Sequence, residues 1–154
     1  MITSTPALLN ALTAIPLLAG TSLAAQTLLA EEGVVRDFPP AAWIVREGDE
    51  GHSFFILVEG DVDIVKGADS PHAATLLARL HPGTFFGEMC IVEPMTRAAS
   101  VRTCSPVRAI EIKAATLHHL FQKMPDQYSI VLLNLARDLA RRLRKLDEIF
   151  AARA

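Results

Sequence analysis

Residues 53 to 58, Ser-Phe-Phe-Ile-Leu-Val, form an almost unbroken apolar run of strand length. Such a run reads as a short strand covered on both faces. A few residues on, Asp61-Val62-Asp63-Ile64 alternates polar and apolar, as a strand with one wet face does. The same reasoning places strands near 43–46, 53–58, 61–66, 74–79, 97–103 and 107–112, with Gly67 to His72 as a polar turn between two of them. Gly48, Gly51, Gly60 and Gly83 punctuate this region, where a chain of short strands needs tight corners. Short strands with regular turn residues favour a barrel or jelly-roll over βαβ units.

The period changes at both ends. Two short helices are expected at 5–14 and 22–32, with Pro16 and Gly20 marking the turn and Pro39-Pro40 closing the segment. After Ala114 a short helix is expected over 115–123, ending before Pro125, and a longer one over 126–152. Leu132, Leu135, Leu139, Leu143, Leu146 and Ile149 recur along it at three- and four-residue steps, the seam of a helix that packs along its length. That seam fits packing on the chain's own strands or pairing with a second copy. Arg137, Asp138, Arg141, Arg142, Arg144 and Lys145 form the polar face, which reads as solvated rather than as a site for an anionic partner.

Composition removes several function classes. A chain of 154 residues can bury a core of its own, and its formal charge of −2 gives no electrostatic footprint for nucleic acid. Cys90 and Cys104 make no disulfide framework and no metal spacing, so a reducing, cytoplasmic setting is expected. Cys90 reads as a small buried hydrophobe. The Leu- and Ala-rich start carries no Lys or Arg before Arg36 and is broken by Asn10, Thr13, Pro16, Thr21 and Gln26. It therefore fits short helices better than a secretion signal or a membrane span. None of the five histidines forms a His-x-His, and His118 and His119 are adjacent on a helix and so face apart. Ser53 and Ser100 have no evident His–Asp partners, so neither a metal site nor a hydrolase triad is expected.

The most informative stretch is 86–101, Phe-Gly-Glu-Met-Cys-Ile-Val-Glu-Pro-Met-Thr-Arg-Ala-Ala-Ser-Val. Gly87 lets a backbone approach an anion closely, and N–H groups opening a short helix can bind one. Arg97 offers a planar fork of donors suited to phosphate oxygens. Glu88, ionised, accepts from a hydroxyl. In this order the residues resemble the phosphate-binding cassette of cyclic nucleotide-binding domains of the catabolite activator protein and protein kinase A regulatory subunit type, with Arg97-Ala98-Ala99 on the next strand. The segment from Phe38 to Val65 resembles the first half of the same domain, and the likeness is clearest over 38–125.

That resemblance implies a mainly β fold with flanking helices: a β-roll (a double-stranded β-helix, jelly-roll-like) carrying the cassette, followed by a long C-terminal helix. One domain is expected over 1–154, with N-terminal helices at 1–40, the roll at 41–113, the cassette at 86–101 and C-terminal helices at 114–154. The implied ligand contacts are Phe86, Gly87, Glu88, Met89, Cys90, Arg97, Ala98 and Ala99, with Met89 and Cys90 giving backbone donors. No catalytic residue, metal or cofactor is implied. Ala98 stands where a hydroxyl residue accompanies a cGMP preference in the family, so cAMP is favoured over cGMP. Leu-Ala-Arg-Asp-Leu-Ala-Arg-Arg-Leu, ending at Leu143, resembles the helix that pairs two subunits of the catabolite activator protein, which implies a homodimer. The same alignment places Leu146 and Asp147 where that protein presents a polar pair to adenine; Asp147 can accept from the adenine amino group and Leu146 cannot. The expected function is a stand-alone, cytoplasmic, non-enzymatic cyclic-nucleotide sensor that moves its C-terminal helix and acts on an unknown downstream protein. No helix-turn-helix segment follows within the sequence, so neither DNA nor a membrane is an expected partner. The alternatives are a structural or dimerisation module that has lost the ligand, and the sensor fragment of a transcription regulator or channel.

Overall fold

A computed structural model describes residues 5–70, 72–93 and 96–153. Helix α1 (Thr5–Thr13), a 3-10 turn (Pro16–Leu18) and helix α2 (Leu23–Glu32) precede the strands, near the positions expected. Ser22 caps α2, its hydroxyl accepting from Ala25 N at 3.1 Å, which satisfies a donor the helix leaves free.

Eight strands follow: β1 (Val34–Phe38), β2 (Trp43–Val45), β3 (Ser53–Glu59), β4 (Val62–Lys66), β5 (Thr75–Leu80), β6 (Phe85–Phe86), β7 (Ser100–Thr103) and β8 (Val107–Lys113). They form two four-stranded sheets, ordered β1-β8-β3-β6 and β2-β7-β4-β5, and every pairing is antiparallel. This is the mainly β architecture with flanking helices that the pattern predicted. Two strands were not expected. β1 falls in the stretch assigned to N-terminal helices, and β6 is only two residues long.

The apolar run in β3 has a direct explanation. Phe55 and Leu57 point into the roll with Val62, Phe86, Val101, Val107 and Ala109. Phe54 and Ile56 point the other way, into a second cluster with Leu12, Leu18, Leu29, Ile110, Leu117 and Leu135 of the helical layer. One strand thus serves two cores, and both faces must be apolar. Phe55 and Phe86 stack at 5.2 Å between ring centroids, which anchors β6, the strand leading into the cassette, against β3.

Helices α4 (Ala114–Lys123) and α5 (Pro125–Arg153) close the chain, after the short α3 (Met89–Val92) within the cassette. The start of α5 is tied down by polar contacts as well as packing. Gln127 Oε1 accepts from Ser22 N at 2.6 Å, and Asn134 Nδ2 donates to the carbonyls of Leu17 and Ala19 at 2.9 and 2.8 Å. Val131 and Leu135 are buried there. Beyond Leu135 the helix is mostly exposed, with Asp138 and Arg142 still partly buried, so the leucine seam is not one surface. Leu135 belongs to the core, whereas Leu139, Leu143, Leu146, Ile149 and Phe150 are exposed. Among the described residues no helix is long and apolar enough to cross a membrane.

Candidate ligand site

The cassette begins where β6 ends. Gly87 has φ +79°, a left-handed conformation that a side chain would strain. A Cβ there would also stand 2.7 Å from Arg97 Nη1. Glycine is therefore required by the backbone and by the guanidinium lying against it. Glu88 follows in α-helical conformation and opens α3, a single turn of four residues. A turn this short contributes its N–H groups and little macrodipole.

Arg97 is framed by two glycines. A Cβ on Gly51 would lie 2.4 Å from Arg97 Nε and 2.6 Å from its Cζ. Gly51 lacks the positive φ found at Gly48, Gly60 and Gly83, so it is not the corner residue it was expected to be; it makes room for the arginine. The guanidinium donates to Gly87 O at 3.3 Å, and that long contact is its single hydrogen bond among the described residues. The main chain of Arg97 is fixed more firmly. Its N–H donates to Asp49 O at 2.7 Å and its carbonyl accepts from Gly48 N at 2.9 Å. These bonds correct the expectation that Arg97, Ala98 and Ala99 lie on a strand. They precede β7, which starts at Ser100, because the Arg97 backbone is spent on the 46–50 turn instead of the sheet.

Glu88 is the most buried of the expected ligand groups with a charge, its side chain 8% exposed. Its Oε1 accepts from Arg142 Nη1 of α5 at 2.7 Å; Oε2 has no hydrogen bond among the described residues. Arg142 also donates to Phe85 O at 3.4 Å and lies 5.2 Å from the Phe85 ring centroid. Its Nε stands 2.8 Å from Asp138 Oδ2. This is an ion pair, and the buried Oδ2 has no hydrogen bond among the described residues. Asp138 and Arg142 were read as part of a solvated face. They are instead the link by which α5 reaches the cassette.

The remaining expected residues fall as follows. Phe86 is buried in the roll, Met89 is exposed and Ala98 is exposed beside Arg97. Cys90 is half-buried, not fully buried as expected, and its thiol donates to Gly87 O at 3.1 Å. Burial holds that thiol above its ordinary pKa, which disfavours the thiolate. Asp147 is exposed on α5 and, among the described residues, makes no hydrogen bond or ion pair with the cassette. Pro94 and Met95 of the cassette lie outside the described residues.

Two surface cavities, of about 340 and 350 Å³, are lined by neither Glu88 nor Arg97. The first is an apolar cleft between Ile91, Leu117, Phe121 and Tyr128; the second lies beside His52, Ser53 and Glu111. Lys113 also lines the second. Among the described residues no three His, Cys, Asp or Glu side chains group to hold a metal.

A buried carboxylate and a glycine-framed arginine thus share one cassette on the β-roll. Residues 35–124 match the model of the cyclic nucleotide-binding domain, and the chain belongs to that family. Over 115 residues it is 31% identical to a CRP-like cAMP-activated global transcriptional regulator of Mycobacterium tuberculosis, a match covering 75% of this chain and 49% of that protein. Over 116 residues it is 30% identical to a cAMP-dependent protein kinase regulatory subunit of Hypocrea atroviridis, covering 75% and 23%. The crystal structure of a cyclic nucleotide-binding domain from Methylobacillus flagellatus superposes with a TM-score of 0.81 at 23% identity, over 97% of this chain and 84% of that one. The chain spans half or less of the length of these two curated relatives, both of them regulatory proteins.

Proposed function

We propose that this chain binds a cyclic nucleoside monophosphate, cAMP in preference to cGMP, and reports occupancy through α5. The observation that carries this reading is the division of labour at Glu88. One carboxylate oxygen is taken by Arg142 of α5, and the other is left to accept from a ribose hydroxyl. Arg97, nearly free of protein partners, supplies the phosphate donors, and Gly87, Met89, Cys90, Ala98 and Ala99 supply close backbone. Phe86 sets the position of the cassette from inside the roll. These are groups for holding an anion and a hydroxyl, and the protein acts as a sensor, not a catalyst. The absence of a hydroxyl at Ala98 supports the cAMP preference, and Asp147 remains the candidate acceptor for the adenine amino group once α5 shifts. A ligand can move the helix only by the difference in its affinity for the two arrangements.

The exposed leucines of α5 support pairing with a second copy, since a stripe of that length is costly to leave in water. Two free cysteines are in keeping with a cytoplasmic location. Calorimetric titration with cAMP and with cGMP tests the reading. Binding of cAMP with weaker binding of cGMP is expected; no heat with either would leave a structural module that has lost its ligand.

A further inference from the structure

The segment that carries Arg97 is held from a second side, by residues that sequence reasoning did not single out. Lys66, the last residue of β4, donates from Nζ to Ala98 O at 2.6 Å. The same ammonium pairs with Glu47 Oε1 at 2.9 Å. Glu47 is itself fixed: its Oε2 accepts from Gly67 N at 2.9 Å, and its own N–H donates to Ser100 Oγ at 2.9 Å. Lys66 and Gly67 therefore hold both oxygens of one carboxylate, and the ammonium spans from that carboxylate to the cassette. The Lys66 bond and the backbone bond lower the Glu47 pKa, which keeps the anchor charged at neutral pH.

The planarity of the peptide group gives this tether its consequence. A carbonyl and the following N–H lie in one plane and point in opposite directions. Gly48 N, bonded to the Arg97 carbonyl, thereby sets the direction of the Ala98 N–H. Lys66, bonded to the Ala98 carbonyl, sets the direction of the Ala99 N–H. Without the second bond the Ala98–Ala99 peptide is free to rotate, because regular strand pairing begins only at Ser100.

Resting on the cyclic-nucleotide reading above, we propose that Lys66, anchored by Glu47, is a positioning residue of the ligand site that fixes the Ala98–Ala99 peptide beside Arg97. It acts through the Ala98 carbonyl and does not touch the ligand. Both side chains are partly exposed, so the pair adds little to folding stability, and its effect falls on affinity.

The test is calorimetric affinity for cAMP in Lys66→Met, Lys66→Arg, Glu47→Gln and the double variant Lys66→Met/Glu47→Gln, with thermal unfolding of each empty protein alongside. Lys66→Met is expected to weaken binding about tenfold, within the range for losing a charge-assisted hydrogen bond. Lys66→Arg, which can still donate to both oxygens, should recover to within about threefold. Glu47→Gln should also weaken binding, and the double variant should be no worse than Lys66→Met alone, because the two act as one unit. Unfolding temperatures should stay within about 3 °C of the original. Tighter binding in Glu47→Gln would show that Lys66 works as a bare charge and would overturn the positioning role. Wild-type affinity in Lys66→Met, or no recovery in Lys66→Arg, would overturn it as well. If the unsubstituted protein binds no cyclic nucleotide, the reading of the site itself falls and this inference with it; binding there with no effect of Lys66 removes this inference alone.

Discussion

At the scale of single residues, the site depends on what is absent as much as on what is present. Gly51 and Gly87 leave the space that the Arg97 guanidinium fills. Gly51→Ala should therefore fold normally, since its φ suits any residue, yet displace Arg97 and weaken cAMP binding at least tenfold, as titration would show. Arg97→Ala should cost about 2–5 kcal/mol of binding by leaving a buried phosphate charge unpaired, and Glu88→Gln less, because a neutral acceptor remains. Arg97, Glu88 and Gly87 could be singled out as candidates in the sequence because their residue types suit an anion and a hydroxyl. The purpose of Gly51 was not, since a space-making glycine and a corner glycine look alike without the contact. A stability effect also belongs at this scale. Ala41 has φ +60°, a left-handed conformation that disfavours a side chain by about 1 kcal/mol. Ala41→Gly should be stabilising or neutral in denaturant unfolding, the relief of strain being offset by the freer unfolded chain.

At the scale of elements, the strands reveal which patterns can be read. β3 and β4 announced themselves through a double-faced run and a strict alternation. β1 did not, because it is an edge strand pairing only with β8 and its residues are mostly exposed, so no apolar run marks it. The seam of α5 was visible, but its division at Leu135 into a buried and an exposed part depends on Asn134 and Gln127 finding partners more than 100 residues away. The Asp138–Arg142 spacing was visible too; its third member, Glu88, was not, because only the fold brings it near. Replacing Arg142 by Ala would leave two carboxylates without their cation. The loss should be about 1–2 kcal/mol in denaturant unfolding, below the 3–5 kcal/mol of a fully buried pair, because Arg142 is 41% exposed. The ion pairs of the sheets have a pH signature. A side-chain hydrogen bond from Arg79 lowers the Asp63 pKa, one from Arg108 lowers that of Asp37, and one from Lys66 lowers that of Glu47. Carboxyls lowered in the folded state stabilise it fully above their ordinary pKa values and lose that contribution as pH falls through the lowered ones. Denaturation midpoints should thus hold from pH 7 to about 5 and drop below about pH 4, and Asp63→Asn should flatten part of that drop.

At the scale of the whole molecule, the candidate ligand site on the roll is joined to a helix that extends past it. The join is the Glu88–Arg142 contact, and the outer half of α5 carries the apolar stripe suited to a second subunit. Replacing Leu139 and Leu143 by Glu should convert a dimer to a monomer in light scattering and alter nucleotide affinity in the same variant, because linked equilibria act in both directions. A variant that stays dimeric would remove the stripe from the interface, and a monomer of unchanged affinity would break the link. Gel-shift titration at physiological salt should show no sequence-selective binding of duplex DNA by this chain, whose formal charge is −2. The central claim is that Glu88 and Arg97 hold a cyclic nucleoside monophosphate. Its most direct test is a calorimetric titration of the protein with cAMP, repeated on Arg97→Ala. Saturable binding that falls by about 30-fold or more in the variant is the expected result, whereas equal affinity in the two proteins would contradict the account.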